Sequence, residues 1–571
     1  MTPKLDAPPP RLHHVAMPRL GLRLVGFFSP LLFLLLSVGL LTLAFAPVNQ
    51  WYLAWIGLVP YLIYISRARS QVSVFAWNWI GGTIFFTANM WWMAFISVPG
   101  MWALMIYCGI YWAFAALLIR GAGLLQRSPM TAVFSIAAIW VCFEWIRSVL
   151  FTGLPWLFLG HSQSPFLLVC QVADITGVYG ISFCIVSVNV FIALLVLRRK
   201  KLVPAAICVG IMLVGVCGYG LFRLEQTPGV TTPGPTIAVI QANFPQDNSG
   251  SKGAPVSEIL SDHLRLSVKA LAENPNIDLI VWSETMVPFI NDQSIAQDIQ
   301  IGDIPVATIR REISELASTN HIALLVGAEF GGDWTQATRD GMQVAIPIDR
   351  RNSTFFFDRN GQMDDSLGHR YDKVHLVPWG EYIPFKDSFP FLYHLSMQLG
   401  PNYYSDYMLH PGSMDQLTVF HLRDGHDWRF VTPICFEDID ARICSAMFRP
   451  GDDGQKRADM LINVTNDGWF KANQNAQQLQ AAVFRCIENR VPAARSVNTG
   501  ISGFIDSTGR TFNLLPVRRE GESIGRLSID SRLTFYTVFG DVFAMVCIAA
   551  TGCIAIAAGW KRISRTGKAK K

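Results

Sequence analysis

Residues 430–438 read FVTPICFED, a short apolar, β-favouring run that ends in Cys435 with two acids behind it. A run of this length bounded by polar residues reads as a buried strand. Working outward, the same pattern recurs as TIAVIQANF (236–244), IDLIVWSE (277–284), IALLVGAEF (322–330), the pair VAIPIDRR and NSTFFFDRNG (344–361), DMLINVTND (459–467) and SIGRLSID (523–530). Between them lie amphipathic, helix-like stretches at 257–272, 304–318 and 476–490. Alternation of this kind predicts sheets covered by helices, and runs so continuously apolar predict strands buried on both faces.

Three polar residues sit where such runs end or in the loops beyond, which is where α/β folds present reactive groups. Glu284 closes IVWSE, Cys435 closes VTPIC, and Lys373 lies in YDKVHLVPWGEYIP (371–384). A carboxylate takes a thiol proton, a thiolate attacks a carbonyl, and an ammonium stabilises the oxyanion that forms, so this set suits acyl transfer through a thioester. Taken singly, each has a plainer reading: a packed cysteine, a capping glutamate, a solvated lysine. Spacing alone does not join them.

The rest of the 571 residues has a different composition. Over the whole chain 51% are hydrophobic and 16% charged, against roughly 25% charged in a soluble domain. The apolar excess falls outside the block 236–532. A spanning helix needs about 20 mostly apolar residues, and by that measure about eight are expected, at 27–46, 51–65, 74–98, 101–119, 131–150, 178–197, 202–222 and 542–560. The domain plan is therefore a cytoplasmic segment (1–25), a bundle of seven helices (26–223), a soluble domain (236–532), an eighth helix (541–560) and a basic tail (561–571). The first run lacks a small-residue cleavage pattern and reads as a retained helix.

Positive charge fixes the orientation, since cytoplasmic loops carry the Lys and Arg excess. Arg19 and Arg23 precede helix one, Arg67 and Arg69 follow helix two, Arg120 and Arg127 follow helix four, Arg198 to Lys201 follow helix six, and Lys561 opens the basic tail. The alternate loops carry none. Both termini then face the cytoplasm and the soluble domain faces the other side, the periplasm in a bacterial inner membrane. The net charge of +5 is modest and flanks the membrane segments, which argues against nucleic-acid binding. The 11 cysteines fall mostly inside apolar runs and show no disulfide framework. Glu144 and Arg147, one turn apart in helix five, read as a self-neutralising pair, and FTGLPWLFLGHSQ (151–163) as a cap on the outer face of the bundle.

WSETMVP, YDKVHLVPWGEYIP, PICFED and NVTNDGWF, in this order, resemble the carbon–nitrogen hydrolase (nitrilase) superfamily. The membrane flanks together with FTGLPWLFLGHSQ, HLVPWGEYIPF and SVNTGISGFID look like its apolipoprotein N-acyltransferase family. The resemblance implies a nitrilase-like αββα sandwich with Glu284 as general base, Lys373 as oxyanion stabiliser and Cys435 as nucleophile. It further implies that Glu381 orients Lys373 and that Glu437 supports the loop around Cys435, although both also read as hydrogen-bonded turn residues.

The implied reaction moves an acyl chain from a phospholipid, with phosphatidylethanolamine as the expected donor, onto Cys435 and then onto the α-amine of a diacylglyceryl-cysteine at the N-terminus of an apolipoprotein. Both substrates are held in the bilayer by chains whose exposure costs about 0.8 kcal/mol per CH₂, so the site must come to the membrane surface. The aromatic stretch 385–408 reads as a lid dipping into the interface, with ordinary packing as the alternative. Three departures from the family pattern bear on substrate choice: no tryptophan in QANFPQDNSGSKG, Phe436 in place of a tyrosine, and Lys471 after the WF pair with Gln477-Gln478-Leu479 further on. The 11 histidines are scattered and no metal-site or nucleotide motif occurs, so neither a metal nor a cofactor is expected. The protein is expected to act as a monomer. Two alternatives remain: a membrane-tethered amidase or nitrilase that releases the acyl group to water, and a ligand-binding domain without catalysis.

Overall fold

The structure, a computed structural model, describes residues 19–568 except 69, 247–251, 340–341, 385, 387, 400–407, 424 and 471–473. Most of the expected segment 1–25, Arg69, part of the lid stretch and Lys471 fall outside the described residues, as do the side chains of Leu392 and of nearly all the basic tail.

The apolar runs fold as helices Arg19–Ala44, Gln71–Met90, Val98–Gly121, Pro129–Val149, Val178–Val196, Val203–Val230 and Val542–Lys568. Among the described residues five are long and apolar enough to cross a membrane: Val98–Gln126, Pro129–Val149, Val178–Val196, Val203–Val230 and Val542–Trp560. The expected span 51–65 is broken into a 3-10 turn at Trp51–Leu53, a single turn at Ala54–Gly57 and a helix at Val59–Arg67. Its breaks are held from outside: Asn189 accepts from the Leu58 N–H at 2.8 Å and donates to the Ala54 carbonyl at 2.9 Å, supplying the partners a helix break requires inside an apolar bundle. Val203–Val230 runs on past the expected 222 and passes without a linker into strand Thr231–Gln241.

The soluble part contains two six-stranded sheets. One runs Gly521–Asp530, Thr231–Gln241, Leu279–Val281, Ala323–Arg339, Met342–Phe357, Arg370–Asp372; the other runs Thr511–Phe512, Gly503–Ile505, Ala493–Val497, Met460–Thr465, Asp427–Val431, Phe420–Arg423. The strand period of two explains the layering. Ile237, Val239, Leu279 and Val281 belong to the same core as Val431, Ile462 and Val464 of the other sheet, whereas Ala238, Ile240, Ile280 and Trp282 pack with Ile259, Leu266 and Ile313 of helices Val256–Glu273 and Val306–Asn320. Helices Ala441–Phe448 and Gln474–Asn489 accompany the second sheet, giving the αββα order expected. VAIPIDRR and NSTFFFDRNG are not two elements: residues 342–357 are one strand, in an antiparallel hairpin with Ala323–Arg339 whose register runs from Leu324↔Phe357 to Arg339↔Met342.

Candidate active site

Each reactive residue lies just beyond a short strand. Strand Leu279–Val281 is followed by Glu284, and strand Arg370–Asp372 by Lys373. Strand Asp427–Val431 stops short of Cys435, which opens a 3-10 turn over Cys435–Ile439 after Ile434 has bridged to Val464. Cys435 has φ +52°, and Thr285 and Trp379 also have positive φ. A non-glycine residue held in that region costs of order 1–3 kcal/mol, so the surrounding contacts must over-determine these turns.

Those contacts can be followed atom by atom. Glu284 is buried; its Oε1 accepts from Lys373 Nζ at 3.1 Å and from Asn352 Nδ2 at 2.7 Å, and its Oε2 accepts from the Asn466 backbone N–H at 2.7 Å. Glu381 Oε1 accepts from the same two donors, Lys373 Nζ at 2.9 Å and Asn352 Nδ2 at 2.8 Å, while its Oε2 caps the Val377 N–H at 2.7 Å. Burial works against the charge on Lys373, but the Glu284 and Glu381 carboxylates outweigh it and hold the ammonium well above its ordinary value. Lys373 is therefore a fixed cation between two carboxylates.

Glu437 organises the other half of the site. Its Oε1 accepts from the Val374 and His375 N–H groups at 2.6 and 2.9 Å, and its Oε2 from the Ile434 N–H at 2.8 Å and the Tyr371 hydroxyl at 2.9 Å. One carboxylate thus ties the residues following Lys373 to the residue preceding Cys435. Gln478 Nε2 donates to the Cys435 carbonyl at 3.2 Å and to Asp438 Oδ1 at 3.0 Å, and Asp438 also pairs with buried Arg495. The Cys435 thiol is pushed well above its ordinary value by burial and then by Glu284, with Lys373 pulling the other way. A thiol shifted in this direction depends on a base to become nucleophilic.

The structure brings Glu284, Lys373, Glu381 and Asn352 into one bonded cluster and places Cys435 within its field. Asn352 is absent from the sequence reading. It stands inside strand Met342–Phe357, and its role is set by two glutamates that reach it from other segments. Glycine supports the geometry: a Cβ at Gly327 would meet Ser283 O at 2.4 Å and Glu284 Cα at 2.7 Å, so only glycine lets that strand press against Glu284.

The bundle reaches this site directly. Glu144 and Arg147 share no ion pair among the described contacts, contrary to the self-neutralising pair expected. Arg147 Nη1 donates to the Leu154 and Trp156 carbonyls at 2.9 and 2.6 Å, while Glu144 Oε1 accepts from the Leu159 N–H at 2.8 Å and from Trp140 Nε1 at 3.1 Å. Irregular backbone inside a bundle needs polar partners, and the two charges supply them to residues 151–163. Held this way, Trp156 stacks on Phe436, next to Cys435, at 6.2 Å and 9°, and the Thr152 carbonyl accepts from His375 Nε2 at 3.1 Å. Of the expected lid, the described part holds helix Pro390–Leu399, with Phe389 and Phe391 exposed. Among the described residues no cluster of three or more His, Cys, Asp or Glu side chains is placed to hold a metal ion.

The two sheets belong to a carbon–nitrogen hydrolase domain, whose family model matches residues 236–532. The model of the apolipoprotein N-acyltransferase N-terminal domain matches residues 37–191. An apolipoprotein N-acyltransferase of Geobacter metallireducens is 30% identical over 538 residues, covering 91% of this chain and 93% of that protein. Those of Chlorobaculum tepidum and Allorhizobium ampelinum are 27% and 30% identical, covering 94% and 80% of this chain and 97% and 80% of theirs. The chain belongs to the apolipoprotein N-acyltransferase family.

Proposed function

We propose that this protein is a membrane-embedded acyltransferase that moves an acyl chain from a phospholipid, through a thioester on Cys435, to the α-amine of the N-terminal diacylglyceryl-cysteine of lipoproteins. The observation that carries the mechanism is the bonded Glu284–Lys373–Glu381 cluster, whose charges act on Cys435. Glu284 takes the Cys435 proton as the sulfur attacks the donor ester carbonyl. Lys373 faces the oxyanion that develops, and its charge costs no reorganisation because both carboxylates already hold it in place. The C–O bond breaks, the lysophospholipid alkoxide takes the proton from Glu284, and a thioester remains. The acceptor amine attacks that thioester, Glu284 takes the amine proton, the C–S bond breaks, and the thiolate is reprotonated as the amide is released. Glu381, Asn352 and Glu437 touch no reacting atom in this scheme; they fix Lys373, Glu284 and the Cys435 turn.

Membrane attachment supports a lipid donor, and the Lys and Arg asymmetry of the loops supports a periplasmic catalytic domain in the bacterial inner membrane. Bundle and catalytic domain belong to one chain, so no second subunit is needed and we read the working unit as a monomer. The test is the intact mass of the purified protein after incubation with phosphatidylethanolamine, comparing wild type with Cys435→Ala. One added acyl group, absent from the mutant and discharged onto a diacylglyceryl-cysteine peptide, is the expected result. Discharge to water alone would make the protein a hydrolase, and no adduct with any phospholipid would remove the proposed donor.

A further inference from the structure

Helix Gln474–Asn489 of the catalytic domain carries a buried glutamine, Gln477, whose side chain bonds to the bundle. Its Oε1 accepts from Trp156 Nε1 at 2.8 Å and from Trp92 Nε1 at 3.4 Å, and its Nε2 donates to the Asn89 carbonyl at 2.9 Å and the Ala46 carbonyl at 3.4 Å. An amide side chain has two acceptor and two donor capacities, and here all are directed at the bundle. Gln480, one turn on, repeats the pattern with the Ala46 N–H at 3.2 Å and Asn49 Oδ1 at 2.8 Å.

The two indoles so fixed back two phenylalanines from the catalytic loops. Trp156 stacks on Phe436, Trp92 meets Phe470 edge-on at 5.0 Å, and the indoles lie 5.4 Å apart. The indoles are buried, whereas Phe436 and Phe470 are half-exposed. Phe436 follows Cys435, and Phe470 ends the loop whose Asn466 N–H holds Glu284. The four rings form an apolar wall flanking the site, half from the membrane bundle and half from the soluble domain. A buried aromatic cluster needs no glutamine to pack; what the glutamine adds is a fixed ring orientation, because each indole N–H has a single partner direction.

We infer that Gln477 is a positioning residue that sets the Trp92–Trp156–Phe436–Phe470 wall and thereby the selectivity of Cys435 for the acyl chain it accepts. This rests on the function proposed above. With the N–H groups released, the indoles can rotate, the wall loses its shape, and long and short chains are told apart less well. One methylene in a hydrophobic pocket is worth about 10-fold or more in discrimination, so the ratio between a long and a short chain reads the state of this wall.

The experiment compares kcat/KM for acylation of Cys435 in the full-length protein, with phosphatidylethanolamine carrying palmitoyl or hexanoyl chains, and records in parallel the rate of iodoacetamide modification at Cys435. Q477M removes every bond at similar volume and is expected to lower the palmitoyl-to-hexanoyl ratio by about fivefold or more while iodoacetamide modification stays near wild type. An unchanged ratio in Q477M, or a loss of acylation that iodoacetamide modification follows in parallel, overturns the inference. Should Q477M fail to fold, W156F removes the shorter N–H bond and keeps a ring; an unchanged ratio there overturns it equally. If wild type takes up neither chain, the proposed function fails first and the inference with it.

Discussion

The backbone N–H of Asn466 lies 2.7 Å from Glu284 Oε2, so the loop that leaves the central strand of one sheet holds the carboxylate presented by the other. A carboxylate held by a main-chain donor on one oxygen and by Lys373 and Asn352 on the other has little freedom to turn. The consequences of that fixation can be tested at several neighbours.

Asn352 donates to both Glu284 and Glu381 through one nitrogen. Asn352→Leu, close in size, leaves both carboxylates short of a charge-assisted bond, each worth about 1.5–3 kcal/mol. The rate of Cys435 acylation is expected to fall at least about tenfold, with the protein still folded by circular dichroism. A rate within twofold of wild type would show that Lys373 and the Asn466 and Val377 N–H groups suffice to fix the pair.

Glu437 accepts from three backbone N–H groups and the Tyr371 hydroxyl. Glu437→Gln turns one acceptor into a donor facing donors. We expect a loss of about 2–3 kcal/mol in stability, read as a lowered thermal midpoint, together with slower acylation, because the turn bearing Cys435 and the chain after Lys373 loosen together.

His375 gives a pH signature. Burial opposes its charge, but Asp440, 3.5 Å from Nδ1, and Glu437 outweigh it and raise the imidazole above 6.5; Arg442 is also paired to Asp440. A folded-state value above the unfolded one contributes stability that is complete below about pH 6.5 and is lost as pH rises through the raised value. The thermal midpoint of wild type minus that of His375→Asn should be largest at low pH and shrink with rising pH. A difference that grows with pH would contradict the assignment.

Gly327 lets a strand lie against Glu284. In Gly327→Ala the new methyl meets only backbone, at 2.4 and 2.7 Å, so the strand or Glu284 must shift. The expected cost is about 1–3 kcal/mol, with a loss of acylation rate larger than the fall in folded fraction explains, measured below the thermal transition.

Glu284 and Cys435 are legible as candidates because each closes an apolar run short enough to be a strand, whereas Lys373 lies in a loop-like stretch and stands out only through the motif around it. Glu381 stands out only through the family resemblance of its motif, and the structure gives its bonds to Lys373 and Asn352 and the second oxygen's cap on the Val377 N–H. Asn352 carried no signal, since a single asparagine beside an apolar strand run looks the same whether it faces water or two glutamates from elsewhere. Residues 51–65 had the composition of a span but not its continuity, which depends on Asn189 from a distant helix. Glu144 and Arg147 read as a pair because spacing shows only what lies on the same helix; apart from Trp140, their partners are backbone groups of a loop that exists only once folded.

The passage of helix Val203–Val230 into strand Thr231–Gln241 has a mechanical consequence. Its 28 residues at about 1.5 Å each span about 42 Å, against a hydrocarbon core of about 30 Å. With no slack between helix and sheet, the elevation of the nucleophile above the lipid tails is geared to the lean of this helix. A thicker bilayer would draw the catalytic domain toward the headgroups and a thinner one would lift it away, so under the proposed function lipid composition would act as a throttle on how far a donor chain must climb to reach Cys435.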